Sequence, residues 1–150
     1  MTVLPPFQWS AYVATNPDMG KPSDGDTHAG PYDLRLVNEE VNDRISPAPG
    51  MPPSATTPWE PWRNPGWCGD YAVTKREMLL RLGWASRFVR IAEVVTVFGE
   101  EHAVLVADVN GSEFVLDNRT AELRAPSRTG YKWVRIQSHE DPNVWEACNA

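Results

Sequence analysis

Cysteine is nearly absent from this chain, with Cys68 and Cys148 the only two in 150 residues. Two are too few for a disulfide scaffold, and no CxxC or similar pair supplies the usual metal-site spacing. Basic residues are also in deficit. Fourteen Lys and Arg against 20 Asp and Glu leave a net charge of −6, which argues against a general electrostatic grip on nucleic acid or on an anionic membrane. No apolar run reaches the roughly 18 residues that a membrane-spanning helix needs. The first twenty residues carry neither a basic leader nor a continuous apolar segment, so no signal peptide is read there. The expectation is one soluble domain over residues 1–150, cytoplasmic by default unless a leader was removed. Nothing in the pattern specifies an oligomeric state.

Proline is plentiful but confined, with twelve of the 14 at or before Pro65. The chain divides into a Pro-rich front and a regularly patterned back. Residues 1–30 read as irregular, extended chain, with PSDGDTHAG (22–30) as a polar, turn-rich surface loop. In YDLRLVNEEVNDRI (32–45), Leu34, Val37, Val41 and Ile45 recur every three or four residues, which puts them on one face of a helix. That helix stops at SPAPGMPPSATTP, because proline removes a backbone donor and biases the residue before it away from helix. Residues 46–66 are then a long loop holding Trp59 and Trp62, and long loops in compact domains often border a site.

Residues 69–82 favour helix, with Gly83 as a C-cap. Stepping back in threes and fours from Leu82 passes Leu79, Lys75 and Tyr71 or Ala72 to Cys68, which turns the cysteine toward the buried side. Lys75 and Arg76 read as a solvated helix face, and His28 and His139 as surface residues. After Trp84 the period becomes strand-like in RFVRIAEVVTVF, HAVLVADV, EFVLDN and GYKWVRIQS. The fold class is α+β, helices first and an antiparallel sheet second.

Asn110-Gly111 is a strong hairpin signal. A two-residue loop there pairs Val109 with Ser112, Val104 with Asp117 and His102 with Arg119. Side chains alternate along a strand, so His102 and Asp117 project from one face as diagonal neighbours. Such neighbours lie roughly 7–8 Å apart at the backbone, a gap that an imidazole and a carboxylate can close. If the helix behind Cys68 packs on that same face, Cys68, His102 and Asp117 converge. An imidazole that takes the thiol proton, a carboxylate that fixes its tautomer and a helix N-terminus under the thiolate are the requirements for acyl transfer by cysteine. Backbone N–H groups of the first helical turn, with an indole N–H from Trp59, Trp62 or Trp67, would hold the oxyanion. Each residue alone also has a plain reading. Cys68 fits a small buried hydrophobe, His102 a core or solvated histidine, and Asp117 the start of a turn. A bridge from Cys68 to Cys148 stays open.

The pieces TPWE (57–60), CGDYAVTKREMLLRLGW (68–84), EHAVLV (101–106) and FVLDN (114–118), in that order, resemble the bacterial transglutaminase-like cysteine proteinases, a branch of the papain-like and transglutaminase-like superfamily. The resemblance implies Cys68 as nucleophile, His102 as general base and acid, and Asp117 as the residue orienting the histidine. It also implies a protein or peptide substrate, since the best-known relatives are calcium-requiring periplasmic proteases that cut a biofilm adhesin. The family usually reads Gly-Asp-Cys-Glu-Asp-Tyr where this chain has Gly66-Trp67-Cys68-Gly69-Asp70-Tyr71. Trp67 and Gly69 replace carboxylates that hold calcium in those relatives, and Asp70 alone is a poor site for an ion that takes 6–8 oxygens. The expected protein is a Cys-His-Asp peptidase or amidase with no metal and no cofactor. The alternatives are a transglutaminase-type acyltransferase and a non-catalytic binding module that keeps the fold.

Overall fold

The computed structural model describes residues 1–25, 30–51 and 53–148. His28, expected at the surface, lies outside them. Seven antiparallel strands form one sheet: β1 (Thr2–Val3), β2 (Val89–Val95), β3 (Glu101–Val109), β4 (Ser112–Asp117), β5 (Thr120–Arg124), β6 (Lys132–Gln137) and β7 (Trp145–Ala147), in the spatial order β1-β7-β6-β2-β3-β4-β5. Among the described residues three α-helices accompany it, α1 (Phe7–Thr15), α2 (Pro31–Arg44) and α3 (Cys68–Arg81). The β3–β4 hairpin turns at Asn110 and Gly111, both with positive φ, and keeps the expected register from Val109↔Ser112 to Leu105↔Leu116. Asn-Gly tolerates that left-handed pair of conformations, and its twist matches that of the strands.

The alternation of β3 divides the core. Ala103, Leu105 and Ala107 face the helices, where they join Val73, Leu79, Val37 and Val41. Val104 and Val106 face the other way and pack with Ala92, Val94 and Val115 against Tyr131, Trp133 and Ile136. Both sheet faces are thus apolar near β3, as expected of a strand buried on both sides.

The N-terminal segment departs from expectation. Residues 1–30 were expected to be irregular, yet they supply an edge strand against β7 and the helix α1. Trp9 and Tyr12, three residues apart, are buried, with Trp9 against Trp145. Nine residues give too short a window for helical periodicity, and Pro5-Pro6 in front suggests a break, although proline is well tolerated just ahead of a helix. Strands β5 and β7 were missed because each is short and carries few apolar residues.

Lys75 and Arg76 are corrected too. Neither is solvated, because α3 is covered by the sheet, by α2 and by the N-terminal segment, so nine of its 14 residues are buried. Arg76 donates to Met19 O at 3.1 Å and lies over the Trp9 ring.

Candidate active site

Cys68 opens α3, with Trp67 in extended conformation as the N-cap. The cap is completed from inside the helix. Asp70, buried at 1% exposure, accepts the Trp67 N–H on one carboxylate oxygen and the Glu60 N–H on the other, both at 2.9 Å. Arg63 lies 3.5 Å from the second oxygen and also grips Glu60. One turn on, Thr74 Oγ1 accepts the Trp62 N–H at 2.9 Å. The Pro- and Trp-rich loop is thereby fastened to the first two turns of α3. Burial nevertheless pushes the Asp70 carboxyl above its usual range, against the two N–H groups and Arg63.

Gly69 has a specific reason to be glycine. The Trp59 indole lies flat against it, and a Cβ there would come within 2.1 Å of Nε1. Of the three tryptophans expected near the site, Trp59 is thus brought to the first turn of α3. Trp67 reaches it through its backbone as N-cap. Trp62 turns away, 40% exposed under the Arg44 guanidinium, and is not brought into the cleft.

His102 and Asp117 meet as their register requires. His102 Nε2 lies 2.8 Å from Asp117 Oδ1, and both side chains are buried. Asp117 also accepts the Arg119 N–H on Oδ1 at 3.1 Å and the Tyr131 hydroxyl on Oδ2 at 2.5 Å. Burial would raise the Asp117 carboxyl, but His102, Tyr131 and the Arg119 N–H together bring it down to about 2. Burial likewise lowers His102, and its hydrogen bonds and charge interactions with Asp117 and Cys68 overcome this and raise it to about 9. Tyr131 is pushed up to about 12 by burial and then by the Asp117 charge. Its ring meets the imidazole edge-on at 5.6 Å. Nothing in the spacing around Tyr131 marks it for this role; only the β2–β6 pairing carries it beside β3.

The nucleophile arrives from an unexpected side. The convergence was expected to need α3 on the face that shows His102, yet α3 packs on the Ala103–Leu105 face while His102 belongs to the opposite one. The two sides meet at the end of the β3–β4 ladder, beyond Leu105↔Leu116. There the Ala103 N–H donates to Cys68 Sγ at 3.4 Å. His102 Nδ1 is buried with no hydrogen-bond partner, and Cys68 is one of the neighbours that raise the ring. Both cysteines are free thiols, so no bridge joins Cys68 to Cys148.

A half-buried thiol at a helix N-terminus, beside an imidazole held by a buried carboxylate, suits acyl transfer, and the sequence agrees. The family model for bacterial transglutaminase-like cysteine proteinases matches residues 2–150. The chain belongs to this family. It is a cysteine peptidase with a transglutaminase-like fold. Among solved structures it is similar to Legionella pneumophila LapG in its calcium-bound form, at 20% identity and a TM-score of 0.64, covering 79% of this chain and 71% of that one. EGTA-treated LapG matches at 20% identity and a TM-score of 0.59, with 79% and 67% covered. These likenesses concern the fold. No curated protein sequence matches the chain.

The calcium that such relatives hold does not fit here. The Trp59 ring occupies the space that a side chain at position 69 would need. The Asp70 oxygens already accept two N–H groups beside Arg63. Among the described residues no cluster of three or more His, Cys, Asp or Glu side chains is placed to hold a metal ion.

Proposed function

We propose that Cys68, His102 and Asp117 carry out peptide-bond hydrolysis on a protein substrate through a thioester. The observation that carries this reading is the buried His102–Asp117 pair, which commits Nε2 to the carboxylate and leaves Nδ1 without a partner, with Cys68 among the neighbours that act on the ring. With its proton on Nε2 and Asp117 accepting it, the imidazole has its lone pair on Nδ1. Nδ1 takes the thiol proton, and the thiolate attacks the carbonyl carbon. The new imidazolium is stabilised by Asp117 and then passes its proton to the leaving amine as the tetrahedral intermediate collapses to the thioester. Water repeats the sequence, giving its proton to Nδ1 as it attacks, and Cys68 leaves as the thiol.

The oxyanion needs fixed donors. The N–H groups of Asp70 and Tyr71 already bond the Trp67 carbonyl, so the Cys68 N–H at the tip of the helix supplies one. Trp59 Nε1–H, lying against the same turn, supplies the second. Removing one such donor costs about 10²–10³ in kcat in a well-studied protease.

Cys68→Ala tests the assignment. The variant is expected to fold, to lose turnover of a p-nitrophenyl ester of an N-acyl amino acid and to lose labelling by a thiol-directed acylating probe. Retained turnover would overturn the mechanism. Supplying a labelled amine together with a glutamine-bearing protein separates hydrolysis from transfer, because only a transferase incorporates the label.

A further inference from the structure

Lys75 lies two helical turns below Cys68 on α3 and is only 1% exposed. A buried ammonium is costly unless it is paired and hydrogen-bonded. Here Nζ donates to Asn38 Oδ1 at 2.8 Å and sits 5.7 Å from the centre of the Tyr71 ring. Among the described residues no carboxylate comes within ion-pairing distance of it. The catalytic scheme above makes no use of this charge.

Its hydrogen-bond partner leads back to the site. Asn38, also buried, has its oxygen held by Lys75 and so directs its amide nitrogen to the Thr120 and Ala121 carbonyls, at 3.1 and 3.4 Å. One turn along α2, Asn42 donates to the Asp117 carbonyl at 3.0 Å and to that of Thr120 at 3.3 Å. Asp117 and Thr120 pair across the β4–β5 turn, so two α2 amides hold the backbone that carries the carboxylate. An amide side chain can flip, exchanging donor for acceptor, unless a neighbour fixes it. An ammonium can only donate, so Lys75 fixes Asn38 in the orientation that holds the turn.

We infer that Lys75 is a positioning residue for the reaction, acting through Asn38 on the β4–β5 turn that aims Asp117 at His102. α3 would then set both ends of the site, the nucleophile at its tip and the carboxylate through its buried lysine. The inference rests on the catalytic assignment of the preceding subsection. Burial lowers Lys75 to about 7, with the Asp117 charge opposing, so the donor-only ammonium that fixes Asn38 prevails below that pH.

The test compares Lys75→Met, Asn38→Asp and Cys68→Ala on the p-nitrophenyl ester. It also follows the downfield proton resonance of the His102–Asp117 hydrogen bond. Lys75→Met removes the donor at similar volume. Its kcat is expected to fall by about ten- to a hundredfold, the scale of a small misplacement of a catalytic group, with KM little changed and the resonance shifted or broadened. Asn38→Asp keeps an acceptor for Lys75 but removes the NH₂ that holds Thr120 and Ala121, and it should reproduce both effects. If Lys75→Met does not fold, Asn38→Asp decides. Wild-type kcat and an unmoved resonance in the deciding variant overturn the inference, whatever its melting temperature. If Cys68→Ala turns over, the catalytic assignment itself falls; if only the Lys75 and Asn38 variants behave as wild type, the assignment stands and this inference fails.

Discussion

The junction of the Pro-rich loop with α3 and the cluster at the β3–β4 end each bury one aspartate to 1% exposure. Each carboxylate accepts hydrogen bonds on both oxygens, yet the two are driven in opposite directions. Asp70 meets two backbone N–H groups and an arginine 3.5 Å away, and burial prevails, raising its carboxyl. Asp117 meets an imidazole, a phenol and one N–H, and these prevail over burial, lowering it to about 2. The imidazole makes the difference, because it becomes a cation when it takes a proton, and each charge favours the other. Asp70 organises a loop, whereas Asp117 is matched to a group that changes charge during the reaction.

The largest way to break this contrast is Asp117→Asn. It keeps the shape but removes the charge that stabilises the imidazolium and introduces an amide NH₂ that can face Nε2 and favour the wrong tautomer, and kcat should fall by about 10³–10⁴, on the scale of the equivalent change in a serine protease triad. Stopped-flow acylation would measure it. Gly69→Ala comes next. Alanine is the better helix former, but its Cβ would collide with Trp59, displacing a proposed oxyanion donor at a cost of about a hundredfold in kcat. A melting temperature raised above wild type, with unchanged kcat, would contradict that account.

Asp70→Asn should change acylation by only a few-fold while costing about 1–2 kcal/mol of stability, the scale of a lost helix cap. Acid titration of folding sharpens the comparison further. Asp117 is held below its ordinary 3.8, so its contribution is complete above that value and lost as pH falls toward about 2. Asp70 has the opposite sign. Its carboxyl is raised, so its contribution is complete below 3.8 and lost as pH rises through its folded value. Melting temperatures recorded through the acid range should therefore fall less steeply with acid in Asp117→Asn and more steeply in Asp70→Asn. On the alkaline side, His102 is raised from 6.5 to about 9, so its contribution is complete below 6.5 and lost as pH rises through about 9. The smallest expected effect is none: EGTA should leave turnover unchanged, since Trp59 and the engaged Asp70 leave no calcium ligand set at the cysteine. Loss of activity that calcium restores would contradict this.

The hairpin at Asn110-Gly111 made the base side legible in advance, because one turn type sets the register and with it the His102–Asp117 pair. The motif around Cys68 made the family legible. The route by which the two meet was not, because strand alternation specifies a face but not where a ladder ends, and it is the unpaired Ala103 N–H at that end that receives the thiol from the other side of the sheet. Tyr131 and Asn38 were hidden for a related reason. Tyr131 reaches the Asp117 carboxylate, and Asn38 the Thr120 and Ala121 carbonyls of the turn beyond it, across contacts between elements far apart in sequence that no local period encodes. Lys75 was misread because a lysine on a helix is ordinarily solvated; the packing of α2 and the sheet around α3 buries it.

Acid quench of the enzyme during turnover of the p-nitrophenyl ester, followed by peptide mass mapping, tests the central claim most directly. The account predicts one acyl group on Cys68, absent from Cys68→Ala and trapped at a lower rate in Asp117→Asn. An acyl group on Cys148, or full turnover with no adduct on Cys68, would contradict it.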